Sequence, residues 1–138
     1  MDCLFCKIAN GAIPAQIVYE DKESLAFLDI HPLALGHLVV VSKSHAENLL
    51  DLPDNKVGPL FLAVKYLTGV LKKAFNPDGF TIGINHGKVS GQAIDHLHVH
   101  IIPRFANDGG KSLHSVVNNP PKDSLEEIAK KVKKYVGS

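Results

Sequence analysis

The chain has 138 residues, of which 45% are hydrophobic and 21% charged, which fits one ordinary globular domain and excludes a disordered chain or a coiled coil. Its net charge is +1, from 15 basic and 14 acidic residues, so it lacks the basic surface typical of nucleic-acid-binding proteins. The longest apolar runs, 38–41 and 59–64, are far shorter than a membrane span, and the first residues lack a signal-peptide pattern. We therefore expect a cytoplasmic protein without a nucleic-acid or membrane partner.

The first half of the chain predicts one short helix and three strands. The helix covers residues 3–10 and ends at Gly11, and the strands cover 17–20, 25–30 and 37–42. Short turns between the strands predict antiparallel pairing. The capping-box pattern from Ser44 to Glu47 predicts a further short helical turn after Ser44.

The second half predicts a long helix, two more strands and a C-terminal helix. The long helix begins between Pro53 and Pro59 and ends near Phe75. Its apolar stripe comprises Leu60, Phe61, Val64, Leu67 and Leu71, with Phe75 closing it. Strands follow over 80–85 and 96–103, and a helix begins after Ser124 and carries Ile128, Val132 and Val136. The predicted fold is a single α+β domain over 1–138, with a five-stranded antiparallel sheet, a core at about 3–105 and a C-terminal loop and helix over 106–138.

Three of the eight histidines alternate along one predicted strand, at positions 96, 98 and 100. Side chains of a strand alternate between its faces, so these imidazoles share one face while Leu97, Val99 and Ile101 share the other. A solvated strand that carries histidine by chance is one interpretation. A metal site is another, although one ion can hold two of the three more easily than all three, because His96 and His100 are about 13 Å apart along a straight strand. The spacing fits best a nucleophilic imidazole, His98, with a supporting imidazole on either side.

These residues resemble the signature of the histidine triad (HIT) superfamily of nucleotide hydrolases and transferases, in particular its microbial HIT-like branch. The resemblance extends over about residues 3–105. Its main motif is the His96-x-His98-x-His100 run, which Asn85-x-Gly87-x-x-x-Gly91-Gln92 precedes. Two earlier segments also match: residues 25–30 together with Pro32, and Gly36-His37 followed by Lys43-x-His45.

The resemblance implies a role for each matching residue. His98 would attack the α-phosphorus of a nucleotide, His100 would bind phosphate or the ribose side, and His96 would support the nucleophile or hold a metal. Donors to the phosphate and leaving-group oxygens would be Asn85, Gln92 and the backbone near Ala93. Asp29 would bind the ribose hydroxyls. The base would lie among Phe5, Ile8, Phe27, Leu28 and Ile30.

Cys3 and Cys6 suggest a second site. A Cys-x-x-Cys pair is half of a tetrahedral zinc site, although a redox pair or two buried thiols would fit as well. Two further ligands are needed, and His45 and His96 are the candidates. Microbial members of the family resemble this arrangement and bind structural zinc, so the resemblance implies a zinc ion that pins the N-terminal helix to the sheet.

The expected function is hydrolysis of adenosine monophosphate derivatives through a nucleotidyl-histidine intermediate, by a homodimer that joins its sheets across the long helix and an edge strand. His100 stands where the transferase branch has glutamine, which favours hydrolysis. Ala93 stands where some hydrolases of the family have a hydroxyl residue that assists an amine leaving group. Two rival functions are a zinc hydrolase that uses metal-bound water and a nucleotide-binding module with incidental catalysis.

Overall fold

The computed structural model describes residues 2–137, so the two ends of the predicted domain, Met1 and Ser138, lie outside the described residues. The helices are α1 (Leu4–Ala9), α2 (Asp54–Phe75) and α3 (Leu125–Tyr135), and short 3-10 turns cover Lys88–Ser90 and Leu113–Ser115. The strands are β1 (Ile17–Glu20), β2 (Ser24–Leu28), β3 (Leu38–Ser42), β4 (Gly79–Gly83) and β5 (His98–Arg104). Within residues 2–137, no helix combines the length and apolar character that crossing a bilayer requires.

The five strands form one antiparallel sheet in the order β1-β2-β3-β5-β4, which confirms the predicted fold class. One face packs against α2 through the apolar side chains that alternate along the central strands, including Ala26, Val40 and Val99. The other face packs against α1 through Leu25, Phe27, Val39 and Val41. Because helices cover both faces, β3 is buried along its whole length.

The long helix ends at Phe75 as predicted, and it begins at Asp54, with Pro53 as its N-terminal cap residue. Its buried face differs in part from the predicted stripe: Leu60, Val64, Leu67 and Leu71 are buried together with Ala63. Phe61 and Phe75 are each 39% exposed, because they lie at the margin of the face that meets the sheet.

The helical turn predicted after Ser44 is wrong. Residues 43–52 form bends and turns, and their backbone bonds to a distant segment: the Ala46 carbonyl accepts from the Leu97 N–H at 2.7 Å. The Glu47 carbonyl accepts from the Gln92 amide at 2.7 Å. These tertiary hydrogen bonds use the groups that a helical turn would have needed for itself.

The C-terminal segment lies on the surface. No residue of α3 is buried, and Leu125, Val132 and Tyr135 are 82%, 58% and 65% exposed. Ser124 caps this helix by accepting from the Glu127 N–H, so the local sequence specifies the helix even though most of its apolar side chains remain exposed.

Gly36 allows the turn before β3 to approach the end of α2. Its φ is +85°, and a Cβ there would lie 2.8 Å from Cε2 of Phe75. Only glycine fits both the left-handed conformation and the contact.

We expect Gly36→Ala to lower the free energy of unfolding by about 1–3 kcal/mol, through backbone strain and overpacking. The matched control is Gly58→Ala, since Gly58 is exposed in α2 and a Cβ there meets nothing within 4 Å. This control should raise the free energy of unfolding by roughly 0.5–1 kcal/mol. Urea denaturation measures both values, and a Gly36→Ala variant as stable as the wild type would contradict the account.

Candidate active site and metal centre

Strand β5 carries two of the three alternating histidines. It pairs with β3 so that His98 is opposite Val41 and His100 is opposite Val39. Leu97, Val99 and Ile101 are buried on the α2 side, as the alternation predicts. The ring of Phe5, from α1, packs edge-to-face on His98 with centroids 5.0 Å apart. The strand was predicted to begin at His96 but begins at His98, because the His96 N–H bonds to the Ile94 carbonyl in a tight turn.

The middle histidine has one nitrogen fixed by the backbone. Nδ1 of His98 lies 2.7 Å from the carbonyl oxygen of His96, and a carbonyl can only accept, so Nδ1 carries the proton. In the neutral ring Nε2 therefore holds the lone pair. A neutral imidazole with an available Nε2 is a nucleophile, so the backbone selects the reactive tautomer.

A fourth histidine, His37, contacts the third. The Leu33 N–H donates to Nδ1 of His37 at 3.1 Å, so the proton of neutral His37 is on Nε2. That Nε2 lies 3.0 Å from Nδ1 of His100 and donates to it, which leaves the His100 proton on Nε2. Oδ2 of Asp29 lies 3.5 Å from Nε2 of His37 and 3.8 Å from Nδ1 of His100. The network thus occupies Nδ1 of His100 and leaves its Nε2–H available to donate.

Sequence reasoning assigned no role to His37. Alternation does place it on the same face as Val39 and Val41. What the sequence lacked was the register in which Val39 pairs with His100, since this register brings His37 within reach of the triad.

Cys3, Cys6, His45 and His96 converge at the start of α1, with their ligand atoms all within 4.8 Å of one another. Nδ1 of His96 lies 3.5 Å from each sulfur and 3.1 Å from Nδ1 of His45, and the Cys6 sulfur lies 3.3 Å from Nδ1 of His45. Donor atoms around a tetrahedral Zn²⁺ lie ~3.3–3.8 Å apart, given Zn–S and Zn–N bonds of about 2.3 and 2.0 Å. The donor set and its spacing therefore fit zinc.

The hydrogen bonds and burial of His96 suit the metal-ligand role predicted for it. Its Nε2 donates to the Ser42 carbonyl at 2.9 Å, so the neutral ring turns the Nδ1 lone pair towards the thiols. Burial lowers the pKa of His96, and the neighbouring His45 and His98 act in the same direction, so the ring stays neutral near pH 7. The hydrogen bond to Ser42 opposes this effect.

The loop before the triad contains the predicted phosphate donors. The Gln92 amide donates to the carbonyls of Glu47 and Ile94, at 2.7 and 3.1 Å, and its oxygen accepts from the Gly87 N–H at 2.8 Å. Both hydrogens of this amide are thus used to hold the loop, and the expected role of Gln92 as a phosphate donor stays a prediction. The backbone N–H of Ala93 and the side chain of the exposed Asn85 have no hydrogen-bond partner among residues 2–137, so both are free to donate.

The residues predicted around the base fall into two groups. Phe5, Ile8 and Phe27 are buried in the core between α1 and the sheet. Leu28 and Ile30 are 38% and 81% exposed, because β2 ends at Leu28 and not at Ile30 as predicted. The surface that a base can contact therefore comes mainly from this second pair, beside Asp29.

Comparison with known proteins agrees with this geometry. A family model described as HIT domain matches residues 10–107. An uncharacterized HIT-like protein of Methanocaldococcus jannaschii is 45% identical over 131 residues, which cover 95% of this chain and 98% of that protein. The adenosine 5'-monophosphoramidase of Schizosaccharomyces pombe is 36% identical over 137 residues, which cover 96% of this chain and 100% of that protein. The crystal structure of a HIT family member from Bacillus subtilis superposes with a TM-score of 0.84 at 33% identity, over 100% of this chain and 99% of that chain. The chain therefore belongs to the HIT domain family.

The pair of His37, which is buried, and His100, which is partly buried, predicts a pH dependence of stability. Burial is the main cause that lowers the pKa of both His37 and His100, and Asp29 opposes it at each. Below about pH 6.5 the unfolded chain binds protons that the folded chain does not, so the free energy of unfolding should fall with decreasing pH. The loss should reach at most about 1.4 kcal/mol per pH unit for each histidine, and above pH 6.5 it should vanish.

Urea denaturation between pH 7.5 and 5.5 measures this slope. Because carboxylates and other histidines also titrate, the informative quantity is the difference between wild type and His37→Gln, and the variant should have the shallower slope. Equal slopes would contradict the prediction.

Proposed function

We propose that this chain is a hydrolase that cleaves the α-phosphorus bond of adenosine monophosphate derivatives, either phosphoramidates or dinucleoside polyphosphates. The reaction proceeds through a nucleotidyl-histidine intermediate on Nε2 of His98. The observation that carries the proposal is the 2.7 Å bond from Nδ1 of His98 to the His96 carbonyl, which leaves Nε2 as the reactive nitrogen. The name of the S. pombe relative supports an adenosine phosphoramidate as substrate.

In the first step, Nε2 of His98 forms a bond to the α-phosphorus, and the bond from phosphorus to the leaving group breaks. The leaving group departs with the bonding electron pair, and an amine leaving group takes up a proton from solvent. In the second step, water attacks the same phosphorus and loses a proton to solvent, the P–N bond to His98 breaks with its electron pair returning to Nε2, and the nucleoside monophosphate is released. Each step moves charge onto phosphoryl oxygens, so donors aimed at those oxygens lower the barrier.

The donors are the Nε2–H of His100, the backbone N–H of Ala93 and the Asn85 amide. His100 is held in the donating tautomer by His37, 3.0 Å away. We assign Gln92 the supporting role of keeping the 87–94 loop closed, through its hydrogen bonds to Gly87, Glu47 and Ile94.

The nucleoside lies on the side of Asp29. Oδ1 of this carboxylate accepts from the His31 N–H at 2.8 Å and holds the turn. Oδ2 faces the histidines, and the Asp29 side chain as a whole is 20% exposed. A fixed carboxylate can orient a ribose diol by accepting from its hydroxyls. Leu28 and Ile30 supply apolar surface for the base, with Phe5, Ile8 and Phe27 packed behind them.

Zinc belongs to the proposal as a structural ion held by Cys3, Cys6, His45 and His96. All four donors come from the protein, whereas catalytic zinc sites keep one position open for water. When bound, the ion would supply bonds that join α1 to the segments containing His45 and His96. The four-donor set therefore favours the histidine nucleophile over the rival hydrolase that uses metal-bound water.

The predicted homodimer also belongs to the proposal. The outer face of α2 has an apolar strip of Leu62, Tyr66 and Val70, which are 66%, 59% and 39% exposed. Strand β4 is an edge strand of the sheet. An exposed strand edge and an exposed apolar helix face are both surfaces that a second copy would cover.

The assay that tests the mechanism compares an adenosine phosphoramidate with a diadenosine polyphosphate, on wild type and His98→Ala, with and without a chelator. We expect the wild type to release AMP and His98→Ala to be slower by at least about 10³-fold, because the nucleophile is lost. His86→Ala is the matched control, since His86 is exposed and outside the network, and it should keep wild-type turnover. If His98→Ala keeps its rate while the chelator abolishes turnover, the covalent mechanism is wrong and the metal hydrolase takes its place.

Metal analysis of the purified protein tests the zinc site. We expect about one zinc per chain, and at least about tenfold weaker zinc affinity in Cys6→Ser and His45→Ala. Because Asp29, His37 and His100 form a second group of potential ligands, His37→Gln is the control and should retain its zinc. Wild-type protein without zinc, or zinc that is lost only from His37→Gln, would contradict the assignment.

A further inference from the structure

The two cysteines of the candidate metal centre are arranged so that their thiols can form a disulfide. They are the only cysteines in the chain, three residues apart at the start of α1. Cys3 is the cap residue, its sulfur accepts from the Cys6 N–H at 3.5 Å, and the two sulfurs belong to a group of ligand atoms within 4.8 Å of one another. A Cys-x-x-Cys pair at a helix start is the spacing used by disulfide oxidoreductases.

The metal centre is also open to solvent. Cys3 and His45 line a cleft of about 460 Å³ between α1 and the 93–95 loop. Cys6 is partly exposed and His45 is exposed, so only Cys3 and His96 are buried among the four. A small oxidant can therefore reach the thiols without unfolding of the sheet.

We propose that Cys3 and Cys6 form a reversible oxidation site that releases the metal. This inference rests on the zinc ion of the proposed function, and the oxidant is of the peroxide class. One thiolate attacks the peroxide O–O bond and becomes a sulfenic acid while water leaves. The second thiolate displaces the sulfenic oxygen as a second water, and the Cys3–Cys6 bond forms. Two electrons pass from the sulfurs to the peroxide, solvent supplies two protons, and Zn²⁺ departs as the hydrated ion because a disulfide offers it no thiolate.

The nucleophile is coupled to this site through two contacts. The helix that carries both thiols also carries Phe5, whose ring packs on His98 and on His96, with centroids 5.0 and 6.0 Å apart. His96 itself contributes a ligand atom to the cluster and the carbonyl that holds Nδ1 of His98. Release of the ion loosens α1 and His96 together, so oxidation lowers turnover. In the reducing cytoplasm predicted from the sequence, the dithiol form is the resting state.

The test treats zinc-loaded protein with stoichiometric hydrogen peroxide and follows three quantities: zinc released to a chromogenic chelator, the intact mass after alkylation, and turnover of an adenosine phosphoramidate. We expect about one zinc released per chain, an unalkylated species about 2 Da lighter, and turnover reduced about tenfold. A dithiol reductant with added zinc should reverse all three changes. Cys3→Ser and Cys6→Ser should lack the 2 Da loss, whereas His45→Ala, which retains both thiols, should show it.

Other outcomes overturn the inference. Thiols that remain alkylatable, a gain of about 32 Da from sulfinic acid, or a disulfide between two chains would each exclude the intramolecular switch. Disulfide formation with zinc retained would exclude metal release. If the purified protein contains no zinc, the metal assignment and the release step are both wrong. The mass measurement on that protein would still decide whether the thiols form a disulfide.

Discussion

Two backbone carbonyls determine what the histidines of this protein can do. The Ser42 carbonyl accepts from the Nε2–H of His96, and the His96 carbonyl accepts from the Nδ1–H of His98. A carbonyl cannot donate, so the tautomer of each ring follows from its position. His96 therefore presents the Nδ1 lone pair, which suits a metal, and His98 presents the Nε2 lone pair, which suits attack on phosphorus.

Burial makes these hydrogen bonds effective. The sheet is covered by α2 on one face and by α1 on the other, so His96, His98 and His37 are 0%, 7% and 3% exposed. In such surroundings an imidazolium is costly and an unpaired N–H is costly too. Burial lowers the pKa of His96 and His37, so these two rings stay neutral, and the hydrogen bonds hold all three rings in a defined orientation. As a consequence, the stability of the site depends on pH.

The same covering helix connects the two sites. Helix α1 is only six residues long, too short to be stable alone. It is held by the core contacts of Phe5 and Ile8 and by the convergence of Cys3 and Cys6 with His96. A metal at this position would therefore stabilise the element that packs directly on His98.

The sequence by itself determined the fold class, the face that each strand residue occupies and the extent of most elements, because local periodicity and turn chemistry decide these features. The family was indicated by the resemblance of the motifs around the three alternating histidines. The sequence did not determine the path of 43–52, the start of β5, the position of His37 beside His100, or the hydrogen bonds that Gln92 makes to Gly87, Glu47 and Ile94. Each of these depends on hydrogen bonds between distant residues, such as the one that joins His96 to Ser42 across 54 positions. Only the tertiary structure brings such partners together, and with them it decides which nitrogen of each histidine is free to react.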